Sequence, residues 1–293
     1  MAKVYFTKDL TSEGLLKIYH ALGVELPGKV GVKVSTGEKG SKGYLKKELI
    51  GPLLKEIKGT IVECNTAYDG ARYKMDEHLQ TAKEHGFLDI ADVDILDGKE
   101  EMKIPVHNGK HLKYDIVGKN IENYDSFINL AHGKGHAMGG FGANIKNQSI
   151  GFASRNGKAY IHSVGQTEDP ALCWHAEYVQ KDFIESMAEA AKAVSDYLEE
   201  NHKPIIYITV INYLSVDCDC DGNQTPPVMK DIGIIGSTDI LANDQAFIDL
   251  IENSNDIGKI KFMQRVNRQE GKHILPYSEK IGLGSRTYEL IEI

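Results

Sequence analysis

Short β-branched runs alternate with amphipathic runs along the first half of this chain, and few architectures accept that rhythm. Residues 4–7 read as a strand, and Ser12 then caps a helix over 13–22 that Gly23 stops. Residues 29–35 alternate at period two, and 45–57 are amphipathic. A strand at 61–65 and a helix at 75–85 follow. Strand, helix, strand, helix favours a parallel sheet covered by helices. Later, 127–131 form a short apolar strand, 182–200 a long helix, and 205–211 a β-branched run suited to a buried central strand. Residues 231–236 and 287–293 read as further strands, with a helix at 244–251 between them. Asn108-Gly109, flanked by runs at 102–106 and 112–117, signals a hairpin. The expected fold is α/β: a mostly parallel sheet flanked by helices, with one β-hairpin. A single domain over 1–293 is expected, with closely packed lobes 1–124 and 125–293 as the alternative.

Composition removes several function classes. The chain has 293 residues and a formal net charge of -8, without the basic footprint of a nucleic-acid binder. No stretch approaches the roughly 18 apolar residues of a membrane span. The opening Met1-Ala-Lys-Val-Tyr-Phe6 reads as a polar first strand rather than a secretory segment, so a cytoplasmic location is expected. Four cysteines are too few for a disulfide scaffold at this length, and no Cys-x-x-Cys occurs.

The chemistry concentrates in two places. Residues 130–147 interleave Gly133, Gly135, Gly139, Gly140 and Gly142 with His132, Lys134, His136, Asn144, Lys146 and Asn147. Glycine costs backbone entropy, so this density implies a backbone shaped for close approach. The stretch can present N–H groups of Gly139, Gly140 and Gly142, with Lys134, Lys146 and Asn147, to a small anion. It has neither the nucleotide P-loop ending nor the dinucleotide fingerprint. Lys33 and Arg72 follow strands at the same sheet edge and suit the same anionic ligand. His136 can move a proton as general acid or base, with Lys146 beside it.

The second place is Asp217-Cys-Asp-Cys-Asp-Gly222. It opens like a calcium loop, but the twelfth position is Val228 rather than a bidentate Glu, and Pro226 and Pro227 intervene. An extended backbone puts Cys218 and Cys220 on one face and Asp217, Asp219 and Asp221 on the other. Flanking carboxylates are expected to raise the thiol pKa values, so activation needs a compensating cation, such as a bound metal. His132, His162, Cys173 and His175 are candidates to complete a metal site. Cys64 ends an apolar strand and is expected in the core, whereas His78, His85 and His202 are expected at the surface.

Several blocks together resemble the domain-of-unknown-function 362 family. They are Lys134-x-His136 with the following glycines and Lys146-Asn147, Val32-Lys-Val-Ser-Thr-Gly-Glu38, Gly59-Thr-Ile-Val-Glu-Cys-Asn65, Asp217-Cys-Asp-Cys-Asp221 and Lys230-Asp-Ile-Gly233. Ser237-Thr-Asp239-Ile-Leu-Ala-Asn-Asp244 also resembles a family motif, with Ile240 where proline is usual. The resemblance implies a link to ferredoxin-type iron–sulfur proteins, although this chain has no cluster-binding cysteine string. A more distant analogy runs to nickel-dependent lactate racemase-like proteins. Three readings follow. One is a metal-binding protein of iron–sulfur or redox chemistry, holding a divalent metal or a cluster. Another is an enzyme acting on a small carboxylate or phosphorylated substrate. The third is a non-catalytic member of an electron-transfer complex with a ferredoxin-like partner.

Overall fold

The strands that read as β-branched runs meet in one sheet. The computed structural model describes residues 1–293. In chain order the elements begin with β1 (Ala2–Thr7), α1 (Ser12–Leu22), β2 (Val30–Lys33), α2 (Lys47–Ile57), β3 (Thr60–Glu63), α3 (Met75–Glu84) and β4 (Val93–Ile95). A hairpin of β5 (Glu101–Pro105) and β6 (Tyr114–Gly118) follows. Next come β7 (Ser126–His132), β8 (Lys134–His136), β9 (Gly140–Gly142), α4 (Asn144–Phe152), α5 (Arg155–His162) and α6 (Gln180–Glu200). The chain ends with β10 (Ile205–Ile211), β11 (Gly233–Ser237), α7 (Ile240–Glu252), α8 (Lys259–Arg268), α9 (Ile274–Lys280) and β12 (Tyr288–Glu292).

Local chemistry sets several boundaries. The Thr11 hydroxyl accepts from Gly14 N–H at the start of α1, and Gly23 ends that helix at φ 61°. Asp239 caps α7 by accepting from Leu241 and Ala242 N–H, so the aspartate keeps its capping work although Ile240 follows it.

The eight-stranded sheet has the order β12-β1-β11-β10-β7-β2-β3-β4. Every neighbouring pair is parallel except those made by β11, which runs against both β1 and β10. The expected mostly parallel sheet is what forms. Strands from 1–124 and from 125–293 share it, since β2 pairs with β7 and β1 with β11. β10 shows why its sequence lacks polar alternation. Ile206, Ile208 and Val210 pack with α1 and α2 on one face, while Tyr207 and Ile211 pack with α6 and α7 on the other. No helix is long and apolar enough to cross a membrane.

Two topological facts place the site. β2 and β7 are neighbours, yet β2 leads through α2 to β3 on one side and β7 leads through α4–α6 to β10 on the other. The chain therefore diverges above their carboxyl ends, which opens a crevice there. In addition, β11 is antiparallel to β10, so no crossover helix is needed between them. Residues 212–232 are left as a loop at that same edge, and they carry both Cys218 and Cys220.

Candidate functional site

A cavity of about 610 Å³ lies at this edge. Lys33 reaches it from β2, Glu63 from β3, Lys134 and His136 from β8, Lys146 and Asn147 from α4, and Cys218 and Cys220 from the 212–232 loop. The glycine-rich stretch and the cysteine cluster are thus neighbours. Glycine makes that contact possible. Gly135 N–H donates to Ser215 O at 2.8 Å, and a Cβ at Gly135 would overlap the Val216 backbone, lying 2.6 Å from its Cα.

Cys218 is buried and sits among donors. Lys146 Nζ is 3.8 Å from its Sγ, and Cys220 N–H donates to it at 3.4 Å. A hydrogen bond from the Cys220 thiol lowers the Cys218 pKa most; burial opposes this, and Lys146 and His136 add to the lowering. The outcome is a thiolate well below the ordinary thiol range. Cys220 is pushed well up, first by sharing that hydrogen bond and then by burial. One sulfur holds the negative charge and its neighbour keeps the proton.

His136 completes the group. Its Nδ1 accepts from Gly139 N–H at 2.8 Å and from Met138 N–H at 3.2 Å. Nδ1 therefore carries no proton, and the neutral ring holds its proton on Nε2, 4.0 Å from Cys220 Sγ. Burial and Lys146 both hold the His136 pKa down. The donor atoms of His136, Cys218 and Cys220 lie within 4.8 Å of one another, close enough to share a metal ion. An imidazole locked as an Nε2–H donor is nevertheless a poor metal ligand and a good partner for a thiolate.

Asp217 and Asp219 are held by other partners, and only Asp221 of the three aspartates reaches the cavity. Asp219 is fully buried, with its carboxylate at 2.9 Å from His132 Nδ1 and 2.8 Å from Lys134 Nζ. Burial raises its pKa, but these two partners outweigh burial and hold it far below the carboxylate range. The other His132 nitrogen, Nε2, lies 2.7 Å from Asn212 O, so both ring nitrogens are spent and His132 has none left for a metal. Asp217 is occupied by Arg265 at 3.2 Å and by Thr225 N–H. Asp221 lines the cavity mouth. Cys173 is turned to Pro170 O, and burial pushes its thiol up to about 11. His175 is exposed in the following turn and does not line the cavity, although its neighbour Trp174 does.

The anion-binding set is likewise sorted. The Gly139 N–H is spent on His136, and Gly140, at φ 79°, packs against Gly271. The stretch forms a tight β8–β9 hairpin, and of Gly139, Gly140 and Gly142 only Gly142 lines the cavity. Asn144 lies beneath the site, donating to Thr209 and Asn243. Arg72 lines the cavity, but Glu63 at 2.9 Å and the Tyr68 hydroxyl occupy its guanidinium. Lys33 Nζ donates to Val34 O and to Asn147 Oδ1, and burial pushes its pKa down to about 7. Lys134 is neutralised by Asp219, and burial is again outweighed, so its pKa rises. Lys158 and Trp174 line the cavity without a sequence signal, and His162, a candidate ligand from the sequence, lines it too. Lys158 and His162 stand one turn apart on α5, six of whose eight residues are buried. His78, expected at the surface, is fully buried against Glu63 at 3.1 Å. Cys64 is buried, as its apolar strand implied.

Fold and site together define an α/β protein with a thiolate-bearing, lysine-rich cavity at a topological switch point. The chain belongs to the domain of unknown function 362 (DUF362) family, whose model matches residues 30–249, well over half of the chain. No curated protein matches it. Among solved structures it is similar to the lactate racemase apoprotein from Thermoanaerobacterium thermosaccharolyticum. That likeness has a TM-score of 0.47 and 12% identity, and covers 84% of this chain and 56% of that one. A protein from Thermotoga maritima gives a TM-score of 0.42 and 12% identity, covering 88% of this chain and 58% of that one. The chain thus spans little more than half the length of either, and neither likeness speaks to chemistry.

Proposed function

We propose that this protein is an enzyme whose working group is the Cys218 thiolate, acting on a small anionic substrate held in the cavity. The observation that carries the reading is the convergence on one buried sulfur of Lys146 Nζ at 3.8 Å and the Cys220 N–H at 3.4 Å, with the His136 and Cys220 side-chain donor atoms within 4.8 Å of it. Cys218 supplies the electron pair, Cys220 keeps a proton beside it, and Lys146 balances the charge. Four lysines and an arginine line the cavity, namely Lys33, Arg72, Lys134, Lys146 and Lys158. Their number supports an anionic substrate, although Arg72 and Lys134 are already paired.

A second reading is favoured by the three donors within 4.8 Å. Here a soft metal or an iron–sulfur cluster would use Cys218 and Cys220, and a ferredoxin-like partner would belong with it. Against it stands the His136 Nδ1, held as an acceptor by two backbone N–H groups.

One experiment separates the two. Anaerobically purified protein is assayed for metal and sulfide, then treated with iodoacetamide at pH 6 and mapped by mass spectrometry. Metal-free protein alkylated at Cys218 well before Cys64, Cys173 and Cys220 supports the thiolate enzyme. Stoichiometric metal that is lost in the Cys218→Ala/Cys220→Ala variant overturns it in favour of the metal centre.

A further inference from the structure

Away from the cavity, α6 carries two carboxylates one turn apart, Asp182 and Glu185, and two imidazoles meet them from distant parts of the chain. Glu185 Oε2 accepts from His111 Nε2 at 2.7 Å, and Oε1 accepts from His273 Nε2 at 2.8 Å. Asp182 Oδ1 lies 3.7 Å from the same His111 nitrogen. We propose that His111, Asp182, Glu185 and His273 form a binding site for a divalent cation that takes nitrogen and oxygen ligands, zinc before calcium or magnesium.

Four features carry the proposal. The donor atoms of His111, Asp182 and Glu185 already lie within 4.8 Å of one another. Both rings make their side-chain hydrogen bonds through Nε2 and none through Nδ1, so each can shift its proton to Nδ1 and present the Nε2 lone pair, exchanging its bond to Glu185 for one to the metal. This is the freedom that His136 lacks. A cation also sits between the carboxylates now: Lys110 Nζ is 2.7 Å from Glu185 Oε2 and 3.6 Å from Asp182 Oδ1. Its side chain is 59% exposed, so a flexible stem can carry it into solvent when a dication arrives. Finally, the support is rigid. Glu189, one turn beyond Glu185, accepts from the backbone N–H groups of Lys110, His111 and Leu112 and from the Tyr277 hydroxyl.

The charges balance, since two carboxylates neutralise one dication and Lys110 is released. The bound ion would join the loop before β6, α6 and the turn before α9, so its effect is to staple the outer helical layer.

The test uses the Cys218→Ala/Cys220→Ala protein, so that thiolates cannot compete and the outcome is independent of the cavity's function. Cobalt(II) is titrated and read by visible absorption, and zinc(II) by thermal unfolding. The expected result is saturable cobalt d–d bands without sulfur charge transfer, and a rise of a few °C in Tm with zinc. His111→Gln and Asp182→Asn should each weaken cobalt binding at least about tenfold, while Lys110→Met should tighten it. Circular dichroism confirms that each variant is folded. No saturable binding, or binding that His111→Gln and Asp182→Asn leave unchanged, overturns the site.

Discussion

Cys218 and His136 divide one task, which is to keep a negative charge stable where water cannot help. The carboxylates on either side of Cys218 are expected to oppose this, and both are neutralised instead. Asp219 turns to His132 and Lys134, and Asp217 to Arg265. The cation needed to lower the thiol is Lys146, seventy-two residues away in sequence. Lys146→Met should therefore slow alkylation of Cys218 at pH 6 by about tenfold for each unit its pKa recovers. His136→Ala should slow it as well, since that ring also lowers the Cys218 pKa. The pH profile of alkylation decides the matter. In the wild type, reactivity should persist well below the ordinary thiol pKa; a profile rising only above pH 8 would contradict the assignment. Residue types at the site were legible in the sequence, but their pairing was not. Which aspartate neutralises which cation depends on contacts such as His132 with Asp219, eighty-seven residues apart.

At the scale of elements, the glycines do different work from the one their spacing implies. Gly135 lets β8 lie against Val216, and so it joins the two halves of the site. Gly135→Ala must push these backbones apart. It should cost about 1–3 kcal/mol of stability, read by urea unfolding, and also slow the alkylation of Cys218. A variant that loses stability but keeps a fully reactive Cys218 would show that the contact does not position the thiolate. The long periodic segments were legible: α1, α2, α3 and α6 fall within a few residues of their expected places. So does the hairpin turn at Asn108, whose φ of 57° suits Asn. What escaped among the helices were α4, α5, α8 and α9, each of ten residues or fewer, which give a 3.6-residue period little length in which to repeat. The direction of β11 escaped as well, because a β-branched run has the same composition in either orientation.

At the scale of the whole molecule, the switch point gathers buried ionisable groups, and their opposite shifts make stability depend on pH in two separate windows. Burial pushes Lys33 down to about 7, so between 7 and its ordinary value near 10.5 the unfolded chain binds more protons than the folded one. Stability from this group therefore rises with pH across that window, and below 7 the buried charge is a constant penalty. Asp244 holds the start of α4 by accepting from Asn144 and Ile145 N–H, and burial raises it to about 7. The folded state keeps a proton there that the unfolded chain releases above its ordinary value near 4. That contribution is complete below about 4 and is lost as the pH climbs to 7. Each slope is at most about 1.4 kcal/mol per pH unit. Urea unfolding at pH 5, 7 and 9 tests both windows. Lys33→Met should be stabilising at pH 5 and 7, with an advantage that shrinks by pH 9. Asp244→Asn should compare more favourably with the wild type at pH 7 than at pH 5. Equal differences at all three pH values would mean that neither group titrates in its window, and the cavity floor would then hold Lys33 as a permanent cation.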